Sequence, residues 1–192
     1  MVQILYRQGI VLLWVNQRNS PFADVFFRYA THLGDGRWWV LAGLLLLFRS
    51  YRNGILTLAI YAVSGILSSI LKSLFDVPRP AAYFEKSLIF MHRVSGIDWY
   101  YAHSFPSGHT TTAFALYFLL AVWSESHLAK FAWLMPAVVV GYSRMYLLQH
   151  FLIDVTFGAL LGTMSSFLVY WGVEKYWQQN PKRWLNKSIL NR

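Results

Sequence analysis

The feature that most constrains this chain is the stretch from Phe131 to Trp171, which is nearly all apolar. A helix that crosses a bilayer needs roughly 20 apolar residues, so a stretch of this length predicts membrane-spanning helices. Only Arg144, His150 and Asp154 break the pattern with charge or titratable nitrogen. Ionisable side chains are costly at membrane depth, which makes these three residues candidates for function.

The composition favours a membrane protein over a soluble domain. The chain is 56% hydrophobic and 13% charged, whereas an average soluble domain carries about 25% charged residues. The net charge of +9 could indicate nucleic-acid binding, but the basic residues are scattered among spans and loop ends. Attraction to anionic lipid headgroups explains that distribution better. Without cysteine, disulfide and thiolate chemistry are excluded.

The apolar pattern predicts an all-α, polytopic transmembrane bundle that forms a single domain over residues 1–192. We expect about five spans, at residues 37–48, 54–75, 107–123, 131–148 and 151–170.

Three segments outside these spans are predicted to be peripheral. Residues 1–36 would be an interfacial segment, with an amphipathic helix in 1–17 and a polar stretch in 18–36. Residues 76–105 would form a hydrophilic loop, and residues 173–192 a basic cytoplasmic tail. No secretory signal pattern opens the chain, so we expect targeting to rest on the spans themselves.

Strict alternation of five spans would bring three charged clusters to one face of the membrane. The clusters lie around Lys72 and Arg79, around His109, and around Arg144 and His150, each at a predicted span end. The basic tail favours a cytoplasmic C-terminus by the positive-inside rule. We therefore expect a bacterial inner-membrane protein whose site faces the periplasm or exterior.

The third cluster carries groups that suit phosphate chemistry. His150 and Asp154 are four residues apart and share a helix face, and a carboxylate on Nδ1–H would leave Nε2 free to attack. The alternative is a structural His–Asp pair whose two side chains only hydrogen-bond to each other within the helix bundle. The planar guanidinium group of Arg144 can donate two parallel hydrogen bonds to phosphate oxygens. The alternative is a structural arginine that extends toward the membrane surface or forms a salt bridge. Ser143 could donate a hydroxyl or simply pack at a helix contact.

The segment Pro106-Ser107-Gly108-His109 has the features of a helix start that binds an anion. Ser107 is a good N-cap, Gly108 allows close approach to the backbone, and free amides at a helix N-terminus attract negative charge. His109 could protonate a leaving alkoxide. The alternative is an ordinary junction between a loop and a helix.

Lys72 and Arg79 would supply further positive charge at the end of the second span. Two cations could neutralise a phosphate as charge develops on it. Anchoring in the interface is the alternative for both, although Pro80 beside Arg79 would restrict the chain there.

Together the three clusters resemble the type 2 phosphatidic acid phosphatase (PAP2) superfamily. The resemblance covers roughly residues 20–172 and departs from the family pattern at no motif position. The matching motifs are Lys72 to Arg79-Pro80, Pro106-Ser107-Gly108-His109, and Ser143-Arg144 with His150 and Asp154.

That resemblance implies a cofactor-free, metal-independent phosphatase that works through a phosphohistidine. His150 would attack phosphorus, and Asp154 would orient the His150 imidazole. His109 would protonate the leaving oxygen. The implied phosphate-binding residues are Lys72, Arg79, Ser107, Gly108, Ser143 and Arg144.

The leading hypothesis is a membrane lipid phosphatase acting on a lipid phosphomonoester or diphosphate. Candidate substrates are undecaprenyl diphosphate, phosphatidylglycerol phosphate, phosphatidic acid and lipid A. We expect the protein to interact with the lipid bilayer and not with nucleic acid. A lipid-to-lipid phosphotransferase would use the same site. A transporter is a remote alternative, because it would distribute charges through the membrane depth. Vanadate, as a phosphate mimic, should inhibit the enzyme.

Overall fold

The computed structural model describes residues 2–85, 87 and 89–190, and their regular elements are helices. This confirms the all-α prediction. Two short 3₁₀ helices, Thr31–Gly34 and Arg183–Asn186, accompany the α-helices. The α-helices are α1 (Val2–Asn16), α2 (Pro21–Ala30), α3 (Gly36–Leu47), α4 (Tyr51–Phe75), α5 (Pro80–Phe84), α6 (Gly108–Trp123), α7 (His127–Tyr146) and α8 (Leu152–Gln179).

Two stretches are long and apolar enough to cross a membrane. They are Tyr51–Phe84, which contains α4, and Leu152–Gln179, which is α8. Only 33% of the most apolar part of each is buried inside the protein, whereas the core helix of a soluble protein would be mostly buried. The outward-facing apolar side chains suit a lipid environment. α3 is apolar but has 12 residues, so the predicted count of about five spans stays a prediction.

Helix α6 lies at the centre of the bundle and contacts α4, α7 and α8. Its approach to α8 depends on two glycines spaced four apart, Gly158 and Gly162. A Cβ on Gly162 would lie 2.2 Å from the Thr111 carbonyl oxygen, and a Cβ on Gly158 would lie 2.7 Å from that of Ser107. The two backbones are therefore in direct contact, as small residues allow in membrane helices.

Helix α2 lies in the polar stretch 18–36, for which no helix was predicted. The Ser20 side chain accepts a hydrogen bond from the Ala23 backbone N–H, and Pro21 occupies the first helical turn. The hydrophilic loop likewise contains the five-residue helix α5. Helix α8 continues to Gln179, so the segment predicted as a tail from residue 173 begins as helix.

Helix α1 lies in the segment 1–17 that was predicted to be an interfacial amphipathic helix, and its C-terminal part is packed into the protein. The interfacial location stays a prediction. Leu12, Val15 and Asn16 are buried in the C-terminal part of α1. The Asn16 side-chain amide donates to the carbonyls of His92 (2.8 Å) and Tyr146 (3.2 Å) and accepts from the His92 N–H (2.9 Å). Asn16 thereby joins α1 to the end of α7 and to the loop before α6.

Candidate active site

The site forms where five helix ends meet. Lys72 lies in the last turn of α4 and Arg79 is the N-cap of α5. His109 opens α6, Arg144 lies in the last turn of α7, and Asp154 lies in the first turn of α8. The structure therefore places one end of each helix at a common point.

Their charged groups lie within electrostatic range of one another. His150 interacts with Arg144, Arg79 and Lys72. His109 interacts with Arg144, His150 and Lys72. Two imidazoles thus share a small region with three cations, and such a region attracts an anion.

Arg144 is buried, with 7% of its surface exposed. One terminal nitrogen donates to the Thr31 hydroxyl at 2.7 Å, and the other donates weakly to the Gln149 side-chain oxygen at 3.5 Å. Among the described residues, its Nε has no hydrogen-bond partner. Buried polar groups are nearly always paired, so this N–H marks a place for an acceptor such as a phosphate oxygen.

Arg79 is also buried and is held by the loop before α6. Its Nε donates to the Ala102 carbonyl at 2.9 Å, and one terminal nitrogen donates to the Gln149 side-chain oxygen at 3.2 Å. The Tyr100 ring lies 5.1 Å from the guanidinium carbon, within cation–π range. These contacts fix the direction of the guanidinium group toward the cluster.

The His150–Asp154 pair differs from the expected geometry. His150 Nδ1 lies 3.6 Å from Asp154 Oδ2, too long for a hydrogen bond. That oxygen instead accepts from the Ser104 hydroxyl at 2.5 Å and from the Phe151 N–H at 2.9 Å. The carboxylate is adjacent to the imidazole but is held by its other neighbours. Hydrogen bonds of this kind often tighten only when substrate binds.

The short turn between Arg144 and His150 has a left-handed residue. Leu148 adopts φ 57°, which is uncommon for a residue with a branched side chain. The Arg144 carbonyl accepts from the N–H groups of both Gln149 (2.9 Å) and His150 (3.2 Å). The turn closes α7 and folds His150 back toward Arg144.

Helix α6 begins at Gly108 with Ser107 as its N-cap residue, but among the described residues the Ser107 side chain caps no backbone N–H. The Ser107 N–H already donates to the Asp154 carbonyl at 3.0 Å, and its hydroxyl pairs with Thr110 at 2.9 Å. A Cβ on Gly108 would lie 3.4 Å from the Lys72 Nζ, an ordinary contact distance. Lys72 therefore reaches the backbone at the helix start, where an anion would bind.

Ser143 is turned into its own helix. Its hydroxyl donates to the Val140 carbonyl at 2.6 Å, so the proton is engaged. Phosphate binding by Ser143 stays a prediction.

Comparison with known proteins assigns the family. A family model described as PAP2 superfamily matches residues 53–178. The chain belongs to the PAP2 superfamily. The matched residues run from the first turn of α4 to the end of α8 and include all three motifs.

The chain is similar to two curated bacterial proteins. It is 32% identical over 116 residues to the bacitracin transport permease protein BcrC of Bacillus licheniformis, which covers 60% of this chain and 53% of that protein. It is 29% identical over 166 residues to phosphatidylglycerophosphatase B of Bacillus subtilis strain 168, which covers 78% of this chain and 75% of that protein. The chain thus spans about half the length of the first relative.

A solved structure shares the fold. The crystal structure of Aquifex aeolicus LpxE matches with a TM-score of 0.70 and 30% sequence identity, covering 83% of this chain and 92% of that chain. The similarity includes nearly all of the solved chain, and the 83% of this chain that it covers has the same fold.

Three polar residues at the site were not predicted from the sequence: Thr31, Ser104 and Gln149. Gln149 had a detectable signal, because it is an amide in the otherwise apolar residues 145–149 that precede His150. Ser104 and Thr31 had none. Thr31 reaches Arg144 from 113 positions away, and only the tertiary fold reveals that contact.

Among the residues that the structure describes, no three His, Asp or Glu side chains are grouped to hold a metal ion. The groups positioned to stabilise negative charge are Lys72, Arg79 and Arg144. The site can therefore bind a phosphate with side-chain cations and a helix start.

Proposed function

We propose that this protein is an integral-membrane lipid phosphatase that works through a phosphohistidine at His150. The observation that carries the proposal is the pair of buried guanidinium groups beside two imidazoles, with one Arg144 N–H unpaired among the described residues. A tetrahedral dianion would satisfy that N–H and compensate the buried positive charge. The family and the named activity of phosphatidylglycerophosphatase B support the same chemistry.

The reaction has two steps. In the first, His150 Nε2 attacks phosphorus, a P–N bond forms, the ester P–O bond breaks, and His109 gives its proton to the leaving oxygen. In the second, His109 removes a proton from water, the water oxygen attacks phosphorus, and the P–N bond breaks to release phosphate. Asp154 stabilises the imidazolium that exists between the steps.

The phosphate oxygens would be held by Lys72, Arg79, Arg144 and the Gly108 N–H. To join them, the Ser107 hydroxyl would have to leave Thr110 and the Ser143 hydroxyl would have to leave the Val140 carbonyl. Three cations and a helix start supply the charge stabilisation that a metal ion supplies in other phosphatases. The proposed mechanism is therefore metal-independent and needs no cofactor.

The substrate would be a lipid whose tail remains in the bilayer while its phosphate reaches the helix ends. Phosphatidylglycerol phosphate, phosphatidic acid, undecaprenyl diphosphate and lipid A all present such a phosphate at the headgroup level. We place the single domain, residues 1–192, in the bacterial inner membrane with the site toward the periplasm or exterior. The clustering of the charges at one end of the bundle favours this activity over transport.

The first test is His150→Ala in the purified protein, assayed for phosphate release from a panel of these four lipids. We expect no release, because the nucleophile is missing. His127→Ala is the control, since His127 is exposed at the start of α7 and should retain full activity. Full release by His150→Ala would refute the proposal. Transfer of labelled phosphate to a second lipid, in place of free phosphate, would indicate a phosphotransferase.

A further inference from the structure

We propose that Gln149 is a positioning residue that holds Arg79 and Arg144 together as one phosphate clamp. The inference rests on the proposed function of the site. Gln149 is 3% exposed, and its side-chain oxygen accepts from Arg79 at 3.2 Å and from Arg144 at 3.5 Å. A single oxygen thus connects guanidinium groups that come from different helices.

The orientation of the amide is fixed by its other end. Gln149 Nε2 donates to the Asp98 carbonyl at 2.9 Å and to the Leu147 carbonyl at 3.5 Å. Carbonyl oxygens accept and cannot donate, so the NH₂ group must point to them and the side-chain oxygen to the arginines. Gln149 therefore also ties the clamp to the loop that precedes α6.

The need for an acceptor follows from the charges. Arg79 and Arg144 are both buried and lie within electrostatic range of each other, so they repel when no anion is bound. A neutral amide oxygen can accept from both and reduce that repulsion. Because the amide carries no net charge, both positive charges remain available to the phosphate.

A carboxylate at this position would act differently. A glutamate side chain in place of the amide would have nearly the same shape and would pair with the same two arginines. It would cancel one positive charge and compete with the incoming phosphate for the same N–H groups. Gln149→Glu keeps an acceptor for the two arginines and adds a negative charge, but it loses the Nε2 donor to the Asp98 and Leu147 carbonyls. Gln149→Leu loses the same donor and also loses the acceptor. Comparison of the two variants therefore separates the effect of the added charge from the loss of the tie to the loop.

The experiment measures inhibition by orthovanadate and the thermal unfolding midpoint of the full chain in detergent. For Gln149→Glu we expect an unfolding midpoint above that of Gln149→Leu, because both variants lose the donor to the Asp98 carbonyl but only Glu keeps an acceptor for the two arginines. The vanadate inhibition constant of Gln149→Glu should rise by roughly ten- to one-hundred-fold, the range for losing a charge-assisted hydrogen bond. KM for the lipid phosphate should rise with it. Gln149→Leu, which removes the acceptor, should weaken vanadate binding and also lower the midpoint.

Gln179→Glu is the matched control, because Gln179 is an exposed amide at the end of α8 and should leave vanadate inhibition unchanged. A folded Gln149→Glu protein with wild-type vanadate inhibition and KM would overturn the inference, whether or not Gln149→Leu folds.

Stabilisation by vanadate, measured without turnover, separates this inference from the proposed function. A wild-type protein that hydrolyses no lipid but is stabilised by vanadate, with the effect lost in Gln149→Glu, would refute the hydrolase and retain the clamp. A wild-type protein with neither turnover nor stabilisation by vanadate would refute both.

Discussion

At the residue scale, the Asp154 carboxylate shows how the site is held by groups outside its motifs. One oxygen of Asp154 accepts from the Ser104 hydroxyl and from the Phe151 N–H, and Ser104 is itself fully buried. The backbone N–H fixes the carboxylate at the start of α8, and the hydroxyl fixes it from the loop side. The position of Asp154 beside His150 thus depends on a serine three residues before the Ser107 cap.

We predict that Ser104→Ala lowers kcat for lipid phosphate hydrolysis. The loss of the hydroxyl leaves a buried carboxylate with one fewer donor, which also costs about 1–3 kcal/mol of folding free energy. Ser64→Ala is the control, because Ser64 is a buried serine whose hydroxyl bonds to the Tyr61 carbonyl of its own helix. Equal kcat in the two variants would show that Ser104 has no part in holding Asp154.

The charged and titratable residues of the site could be predicted from the sequence, whereas the uncharged residues that hold them in position could not. Arg144, His150 and Asp154 stand out because charge is rare in apolar sequence, and motif spacing places them together. Thr31 begins the 3₁₀ helix Thr31–Gly34 and Ser104 lies in the loop before α6. Their roles arise from contacts 113 and 50 positions apart along the chain, which no local pattern reports.

At the element scale, the packing of α6 on α8 sets the separation of the two imidazole-bearing helix starts. Gly158 and Gly162 allow the backbones to touch, and the atom nearest a Cβ on either glycine is a backbone oxygen of Thr111 or Ser107. A backbone atom cannot rotate away as a side chain can. The spacing between α6 and α8 is therefore sensitive to a single methyl group.

We predict that Gly162→Ala destabilises the protein by about 1–3 kcal/mol, as overpacking typically does. It should also reduce activity, because the added methyl group would push α6 away from α8, and α6 carries His109. Gly172→Ala is the matched control on the same helix: apart from the neighbouring residues and backbone of its own helix, no described atom lies within 4 Å of a Cβ there. Since alanine favours helix more than glycine does, this variant should be neutral or slightly stabilising. Thermal unfolding midpoints in detergent distinguish the two. A midpoint for Gly162→Ala at or above that of Gly172→Ala would contradict the packing argument.

Helices were predictable where apolar length defined them and less so elsewhere. The predicted spans at residues 54–75 and 107–123 agree closely with α4 and α6. Helix α2 was missed although Ser20-Pro21 is a recognisable helix start, because the polarity of the stretch suggested a loop. Helix α5 has five residues and is too short for a periodic pattern.

At the scale of the whole molecule, the N-terminal segment and the long loop are joined through buried polar contacts. Asn16 holds both backbone groups of His92, and the His92 ring contacts Asp24 of α2 at 2.9 Å. The Tyr146 hydroxyl at the end of α7 donates to the same Asp24. The loop that presents Ser104 and Asp98 to the site is thus anchored to α1, α2 and α7.

We predict that Asn16→Ala loosens this loop while leaving the bundle intact. The backbone groups of His92 lose their partner, so amide hydrogen exchange should increase in residues 89–103, and KM should rise. Asn19→Ala is the control, since Asn19 is exposed and bonds to nearby carbonyls of residues 16 and 17. Unchanged exchange in the loop of Asn16→Ala would show that the loop is anchored elsewhere.

The left-handed conformation of Leu148 limits how far the sequence between Arg144 and His150 can vary in length. Because the Arg144 carbonyl binds the N–H groups of residues 149 and 150 across that bend, the number of residues in the bend is fixed more strictly than their identity. Apolar side chains could be exchanged there, but an insertion or deletion of one residue would carry the His150 imidazole away from the Arg144 guanidinium. Such a chain would keep every side chain of the site but would no longer bring His150 and Arg144 together.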